Sequence, residues 1–147
     1  RREIRDEPES VYLRQCVAQI AAPYSDEMAR KGLDFDLEIA ESAVLQLNRK
    51  ALQLVVGNLI KNAVRYTSSG FVRVSYATPR LTVSDSGPGI SPQHREHIFE
   101  RYFRLDDKPG GLGLGLAIVR RICDDRGWKI ELKCPPGAGS AFTVVLA

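Results

Sequence analysis

Cysteine is scarce in this 147-residue sequence and poorly arranged for cross-linking: Cys16, Cys123 and Cys134 are odd in number, scattered, and form no C-x-x-C pair. This excludes a disulfide framework or a thiolate zinc site and fits a reducing compartment. Histidine is scarcer still. His94 and His97 are the only two, neither sits at a metal-ligand spacing, and both read as solvent-facing residues of a helix. No apolar run approaches the roughly 18 residues of a membrane span, and no signal peptide is visible. No basic run is interleaved with aromatics, so nothing argues for nucleic acid; the net charge of +3 is mild but suits a polyanionic ligand. Two familiar phosphate motifs are also missing. No glycine is followed by lysine, which removes the P-loop, and Leu116 stands where a dinucleotide fingerprint begun at Gly111 and Gly113 needs its last glycine.

What remains is ordinary globular material, 44% hydrophobic and 27% charged, enough for one domain with a sizeable core. Because the chain begins with Arg1, it reads as a piece of something longer. Glycines are densest at Gly110, Gly111, Gly113 and Gly115, just before an apolar helical pattern at Leu116, Ile118, Val119 and Ile122. An amide-rich loop opening into a helix is a ready anion site. It is equally a way to turn a corner.

Residues 1–9 form a charged segment, read as a linker or the tail of a preceding element. From Ser10, taken as N-cap, the spacing of Leu13, Val17, Ile20, Tyr24 and Met28 predicts a helix divided at Pro23 and ended by Gly32. Leu33, Phe35, Leu37 and Ile39 alternate with acidic residues as a strand. Asn48 caps a helix reaching about Tyr66, with Leu52, Val55, Val56, Leu59, Ile60, Ala63 and Val64 on its apolar face and Asn58, Asn62 and Arg65 opposite. Residues 71–76 and 80–85 read as a hairpin. Ser91-Pro92 starts a helix carrying residues 98–104; a further helix runs to about Arg126, and a C-terminal hairpin follows. This order predicts an α/β sandwich, a mixed sheet with helices on one face.

Four segments look like walls of one pocket. Asn58 and Asn62, one turn apart, offer neutral oxygens to a hard cation such as Mg²⁺, or are plain surface asparagines. Asp85 ends an apolar strand before Gly87-Pro88-Gly89, either accepting from an exocyclic amine or serving as a turn aspartate. Lys61 and Arg65 either meet phosphate or are solvated. The segment 99–104 and the glycine loop complete the set.

In order and spacing these stretches resemble the catalytic, ATP-binding domain of two-component sensor histidine kinases, within the wider family that includes gyrase, Hsp90 and MutL. Residues 58–67 (NLIKNAVRYT) resemble the family's asparagine box, residues 85–90 (DSGPGI) its first glycine box, and residues 98–104 (IFERYFR) its phenylalanine box. Residues 111–118 (GLGLGLAI) resemble the second glycine box, and residues 137–142 (GAGSAF) the closing turn and strand. The resemblance covers nearly the whole chain from Ser10. It implies a two-layer α/β sandwich of the Bergerat fold with a mixed, mostly antiparallel sheet, residues 10–147 forming the catalytic domain and residues 1–9 trailing from a dimerisation domain.

The resemblance further implies ATP and Mg²⁺ as ligands. Asp85 would take the adenine amine, and Asn58 and Asn62 the metal and phosphates, with Arg65 and Tyr66 beside the nucleotide. Gly87, Gly89 and Ile90 would lie against adenine. Gly111, Leu112, Gly113, Leu114, Gly115 and Leu116 would bind phosphate through their amides, while Arg104 falls in the lid hinge of residues 99–109. Asn58, Asn62 and Arg65 would be the catalytic set. Asn58 stands where the ATPase branches carry a glutamate base, and it cannot take a proton from water, which favours transfer over hydrolysis. Arg65 replaces a common lysine, Leu112 a common Thr or Ser, and residues 105–109 are shorter than the usual lid.

The family's phosphoacceptor histidine lies in an H-E-x-x-x-P context on a separate helical domain; His94 precedes Arg95-Glu96 and His97 precedes Ile98-Phe99, so neither fits. The implied partners are therefore that histidine-bearing dimerisation domain and a response-regulator receiver domain, with neither nucleic acid nor membrane touched by this domain. The parent would be a homodimer on the cytoplasmic side of the inner membrane and the isolated domain a monomer that does not label itself. The alternatives are an anti-sigma-type protein-serine kinase and a non-catalytic nucleotide-sensing module.

Overall fold

The computed structural model describes residues 8–101, 103 and 115–146. The chain opens with a strand, β1 (Glu9–Tyr12), then α1 (Leu13–Ala21), one 3-10 turn at Ala22–Tyr24 and α2 (Ser25–Lys31). Pro23 divides the helical pattern as its missing N–H requires. Ser10, however, caps no helix. It lies in β1, where its hydroxyl accepts from Gln46 Nε2, because β1 pairs antiparallel with β3 (Val44–Leu47), a strand its short sequence does not announce. A non-local ladder has won over local helical spacing. Pairing also begins at Glu9, the last residue of the segment read as linker.

Gly32 stops α2 at φ +69°: its own N–H reaches Ala29 C=O at 3.1 Å, and the Leu33 N–H reaches Met28 C=O at 2.9 Å. This is a Schellman closure with a buried Leu33 behind it. The expected alternating strand follows as β2 (Asp34–Glu38).

Helix α3 (Arg49–Tyr66) is the spine of the fold. Its cap is the one expected, Asn48 Oδ1 accepting from the Ala51 N–H at 2.8 Å. Its apolar face from Leu52 to Val64 is buried throughout. That face lies on β4 (Phe71–Ala77) and β5 (Arg80–Asp85), and α1 packs on its flank. After β5 come α4 (Pro92–Arg95), α5 (Gly115–Arg126), β6 (Lys129–Lys133) and β7 (Ser140–Val145); α5 also packs on α3.

The main sheet runs β2-β4-β5-β7-β6, with β2 and β4 parallel and the other neighbours antiparallel. Val72, Val74, Leu81, Val83, Phe142 and Val144 point to the helices and are buried, while Arg73, Thr82 and Thr143 occupy the other face. The expected two-layer sandwich, mixed and mostly antiparallel with helices on one face, is the fold observed.

The helix expected from Ser91-Pro92 is only one turn long. Beyond Arg95 the chain steps through i→i+3 bonds, His97 N–H to His94 C=O, Glu100 N–H to His97 C=O and Phe103 N–H to Glu100 C=O. These turns bury Ile98 and set Phe99 edge-on to Phe142 at 6.1 Å. His97 is therefore exposed on a turn rather than a helix, and His94 on α4 is half-buried. Among the described residues no helix is long and apolar enough to cross a membrane.

Candidate functional site

Asp85 is the last residue of β5 and its strand position turns it toward the helices, so the residue is only 6% exposed. Two donors hold it. The Gly87 N–H reaches Oδ1 at 2.8 Å, closing a tight local turn, and Ser140 Oγ reaches Oδ2 at 2.8 Å. Ser140 is there because β7 pairs with β5 and places it directly opposite Asp85. Gly139 makes that approach possible: at φ +74°, a Cβ on it would lie 1.9 Å from the Asp85 carbonyl oxygen. A side chain there and the strand end exclude each other.

Above this carboxylate opens a cavity of about 490 Å³. Asn62 and Tyr66 of α3 form one wall, and Gly89 and Ile90 of the loop after β5 another. Such a volume, with a few convergent polar groups among apolar ones, is that of a small-molecule site. The β6–β7 turn closes the far side with Cys134 and Pro135, joined by His94 and Arg95 from α4. Arg95 ties these walls together, Nε donating to Ile90 C=O at 3.0 Å and Nη2 to Cys134 C=O at 3.4 Å. His94, expected to face solvent, instead lines the cavity, with Nδ1 2.9 Å from Ser91 Oγ. Ser140, His94 and Arg95 were given no role from sequence; their placement depends on the β5–β7 register and the short α4.

Of the expected site residues, Asn62, Tyr66, Asp85, Gly89 and Ile90 meet at this cavity, with Gly87 bonded to Asp85 just behind it. Asn58 sits one turn earlier on α3. Its Nδ2 donates back to Leu54 C=O at 2.6 Å, and its Oδ1 lies 3.0 Å from where a Cβ on Gly115 would stand. The Asn58 oxygen thus faces the start of α5, the end of the glycine stretch, and Leu116 follows it there half-buried. The Arg65 guanidinium lies 5.8 Å from the Tyr66 ring centre, within reach of a cation–π contact. Arg104, Gly111, Leu112, Gly113 and Leu114 lie outside the described residues.

Among the described residues no three His, Cys, Asp or Glu side chains cluster as a cation cage. A divalent ion could instead be held by the Asn58 and Asn62 amide oxygens together with ligand phosphates and water, a donor set that suits Mg²⁺. The back-bond of Asn58 fits this. With its Nδ2 committed, its oxygen is the end left to face a cation.

The cysteines are all free. Burial pushes the Cys123 thiol up to about 11 and also raises that of Cys16, so both behave as core residues.

Residues 47–147 match the family described as histidine kinase-, DNA gyrase B- and HSP90-like ATPases. The sensor histidine kinase YkoH of Bacillus subtilis (strain 168) is 35% identical over 112 residues, 71% of this chain and 24% of its own length. The sensor-like histidine kinase SenX3 of Mycobacterium tuberculosis (strain H37Rv) is 36% identical over 124 residues, 76% of this chain and 30% of its own length. The chain therefore spans less than a third of either relative. Among solved structures, the catalytic domain of histidine kinase ThkA, nucleotide-free, superposes with a TM-score of 0.80 at 25% identity, covering 94% of this chain and 93% of that one. Full-length ShkA in complex with AMPPNP gives 0.81 at 27% identity, covering 99% of this chain and 32% of that one.

Proposed function

The chain belongs to the histidine kinase-, DNA gyrase B- and HSP90-like ATPase family, and from that membership we propose that it is the Mg·ATP-binding catalytic domain of a sensor histidine kinase. The observation that carries the reading is the Asp85 carboxylate. It is buried, pre-oriented by Gly87 and Ser140, and set in the wall of the cavity that also holds Asn62 and Tyr66. A fixed acceptor in a nearly dry wall discriminates for a purine bearing an exocyclic amine and against one bearing a carbonyl.

In this reading Asp85 takes the adenine amine, Gly87, Gly89 and Ile90 lie along the base, and Tyr66 with Arg65 borders the sugar-phosphate end. Asn58 and Asn62 hold Mg²⁺, which when bound neutralises phosphate charge. Gly111, Leu112, Gly113, Leu114, Gly115 and Leu116 cradle the phosphates, and Arg104 belongs to the closing segment. At the phosphate end Asn58 and Asn62 offer no base for water, so the chain's own contribution is to orient the γ-phosphate for in-line attack by a histidine on another domain. Residues 10–147 form the catalytic domain and residues 1–9 lead in from the dimerisation domain. The partners are that domain and a receiver domain that takes the phosphoryl group on aspartate. The parent is a dimer at the cytoplasmic face of the membrane, the isolated domain a monomer.

Calorimetric titration of ATP into this chain, with and without Mg²⁺ and beside GTP, tests the reading. Mg²⁺-assisted binding that prefers ATP supports it; binding of neither nucleotide, or equal binding of both, refutes it.

A further inference from the structure

Helices α2 and α5 satisfy their last carbonyls locally, each through a glycine in the left-handed conformation, Gly32 and Gly127. Helix α3 does not. It runs into Thr67 at φ −101° and ψ 120°, an extended exit that bonds only the Thr67 N–H back to Ala63 C=O. The carbonyls beyond would be left without intrahelical donors at the negative end of an 18-residue helix. One side chain from elsewhere in the fold supplies donors to two of them, at Val64 and Arg65, and to the Thr67 carbonyl just beyond. Lys31, the last residue of α2, extends its ammonium to Val64 C=O at 2.5 Å, Arg65 C=O at 3.3 Å and Thr67 C=O at 3.3 Å. An ammonium has three N–H groups, and here three carbonyls receive them. Glu27, one turn earlier on α2, stands 3.5 Å from the same Nζ and steadies it.

The capped segment bears directly on the candidate site. A Cβ placed on Gly87 would lie 3.0 Å from the Tyr66 carbonyl oxygen, 3.2 Å from Thr67 Oγ1 and 3.0 Å from Asp85 Oδ1. The exit of α3 is thus packed against the residue whose N–H holds Asp85, too closely for a side chain to enter unless a neighbour gives way. Thr67 is fully buried. A shift of this exit therefore moves Tyr66 in the cavity wall and loosens the Gly87–Asp85 turn together.

We propose that Lys31 is a positioning residue of the nucleotide site, capping the C-terminus of α3 so that Tyr66 and Thr67 hold the Gly87 turn against Asp85. The proposal rests on the reading of that site as an ATP site. Lys31 touches no nucleotide; it acts through carbonyls, so its loss should change affinity and local exchange before it changes the fold.

The test is ATP titration into this chain and its Lys31→Met and Lys31→Arg variants, paired with amide hydrogen exchange of each without nucleotide. Lys31→Met keeps most of the apolar stem and loses the donors; it should weaken ATP about tenfold, while Lys31→Arg, which keeps charge and donors, recovers to within about threefold. Exchange should quicken in Lys31→Met at the Thr67 and Gly87 amides and stay unchanged in β6 and β7. Unaltered ATP affinity with unaltered exchange at Thr67 and Gly87 overturns the proposal, as does quickening spread evenly over the sheet, the mark of a merely structural lysine. Should Lys31→Met fail to fold, Lys31→Gln, too short to reach the three carbonyls, decides by the same local exchange pattern, and no change there overturns the proposal. Failure of the unsubstituted chain to bind ATP refutes the ATP reading instead, and the exchange arm still decides whether the cap holds the turn.

Discussion

Asp85→Asn isolates the contact on which the nucleotide reading depends. The substitution is nearly isosteric, and the existing partners can adapt to it. The carboxamide oxygen can keep the Gly87 N–H now at 2.8 Å, and the new NH₂ can donate to Ser140 Oγ, which accepts as readily as it donates. Fold stability should therefore move by less than about 1 kcal/mol. Ligand binding is different. The atom turned toward the base changes from a charged acceptor to a neutral amide, and a 6-amino group meeting the NH₂ end finds donor against donor. Losing a hydrogen bond to a charged group is worth about 1.5–3 kcal/mol, which is roughly a 10- to 150-fold rise in the dissociation constant for ATP. The same change should narrow the gap to GTP, because the NH₂ can now donate to a 6-oxo group. Calorimetric titration with both nucleotides, beside thermal unfolding of each chain, reads all three quantities. An ATP affinity within about threefold of the parent, in a chain that unfolds at the same temperature, would refute the assignment of Asp85.

Three further outcomes follow from the same geometry. Ser140→Ala removes one of the two donors on Asp85 and should cost about 1 kcal/mol in nucleotide binding, near fivefold, measured by the same titration. Gly139→Ala combines a φ of +74° with a Cβ 1.9 Å from a backbone oxygen; it should destabilise the fold by at least about 2 kcal/mol in urea unfolding, whatever happens at the site. For Cys123 the folded thiol titrates near 11 against 9.0 ordinarily, so the unfolded chain holds fewer protons between those values and stability should fall as pH rises from about 9 to 11. Unfolding free energies of the parent and Cys123→Ala across that range check this, the slope being shallower in the variant.

How much of this was readable in the sequence depended on whether a feature is set locally. Helix α3 was legible almost to the residue, because its cap, its apolar face and the opposite polar face follow from one helical period. The Asn62 and Tyr66 positions came with it. The hairpin of β4 and β5 was equally plain from alternation, which put Asp85 at a strand end. Features made by pairing distant segments were not legible. Ser10 looked like a helix cap until β3, more than thirty residues on, claimed it as a strand residue. Ser140 acquired its partner only from the β5–β7 register, across 55 residues of chain. Ile98 and Phe99 belong to turns beyond a short α4, with Ile98 buried and Phe99 edge-on to Phe142.

On the proposed reading, the arrangement around Asp85 would make the site selective by fixing an acceptor before any ligand arrives. Asp85, 6% exposed and held by two neutral donors, has acceptor capacity to spare where it meets the cavity. The backbone leaves this acceptor little freedom to move: Gly139 is in contact with the Asp85 carbonyl, and Gly87 is set closely against Tyr66 and Thr67. On the proposed reading a 6-amino purine would bring a donor to that acceptor, and a 6-oxo purine would set a second acceptor against it. Discrimination would thus lie in how rigidly the acceptor is held, and the rigidity comes from three elements, the end of β5, the start of β7 and the exit of α3, that meet only in the folded chain.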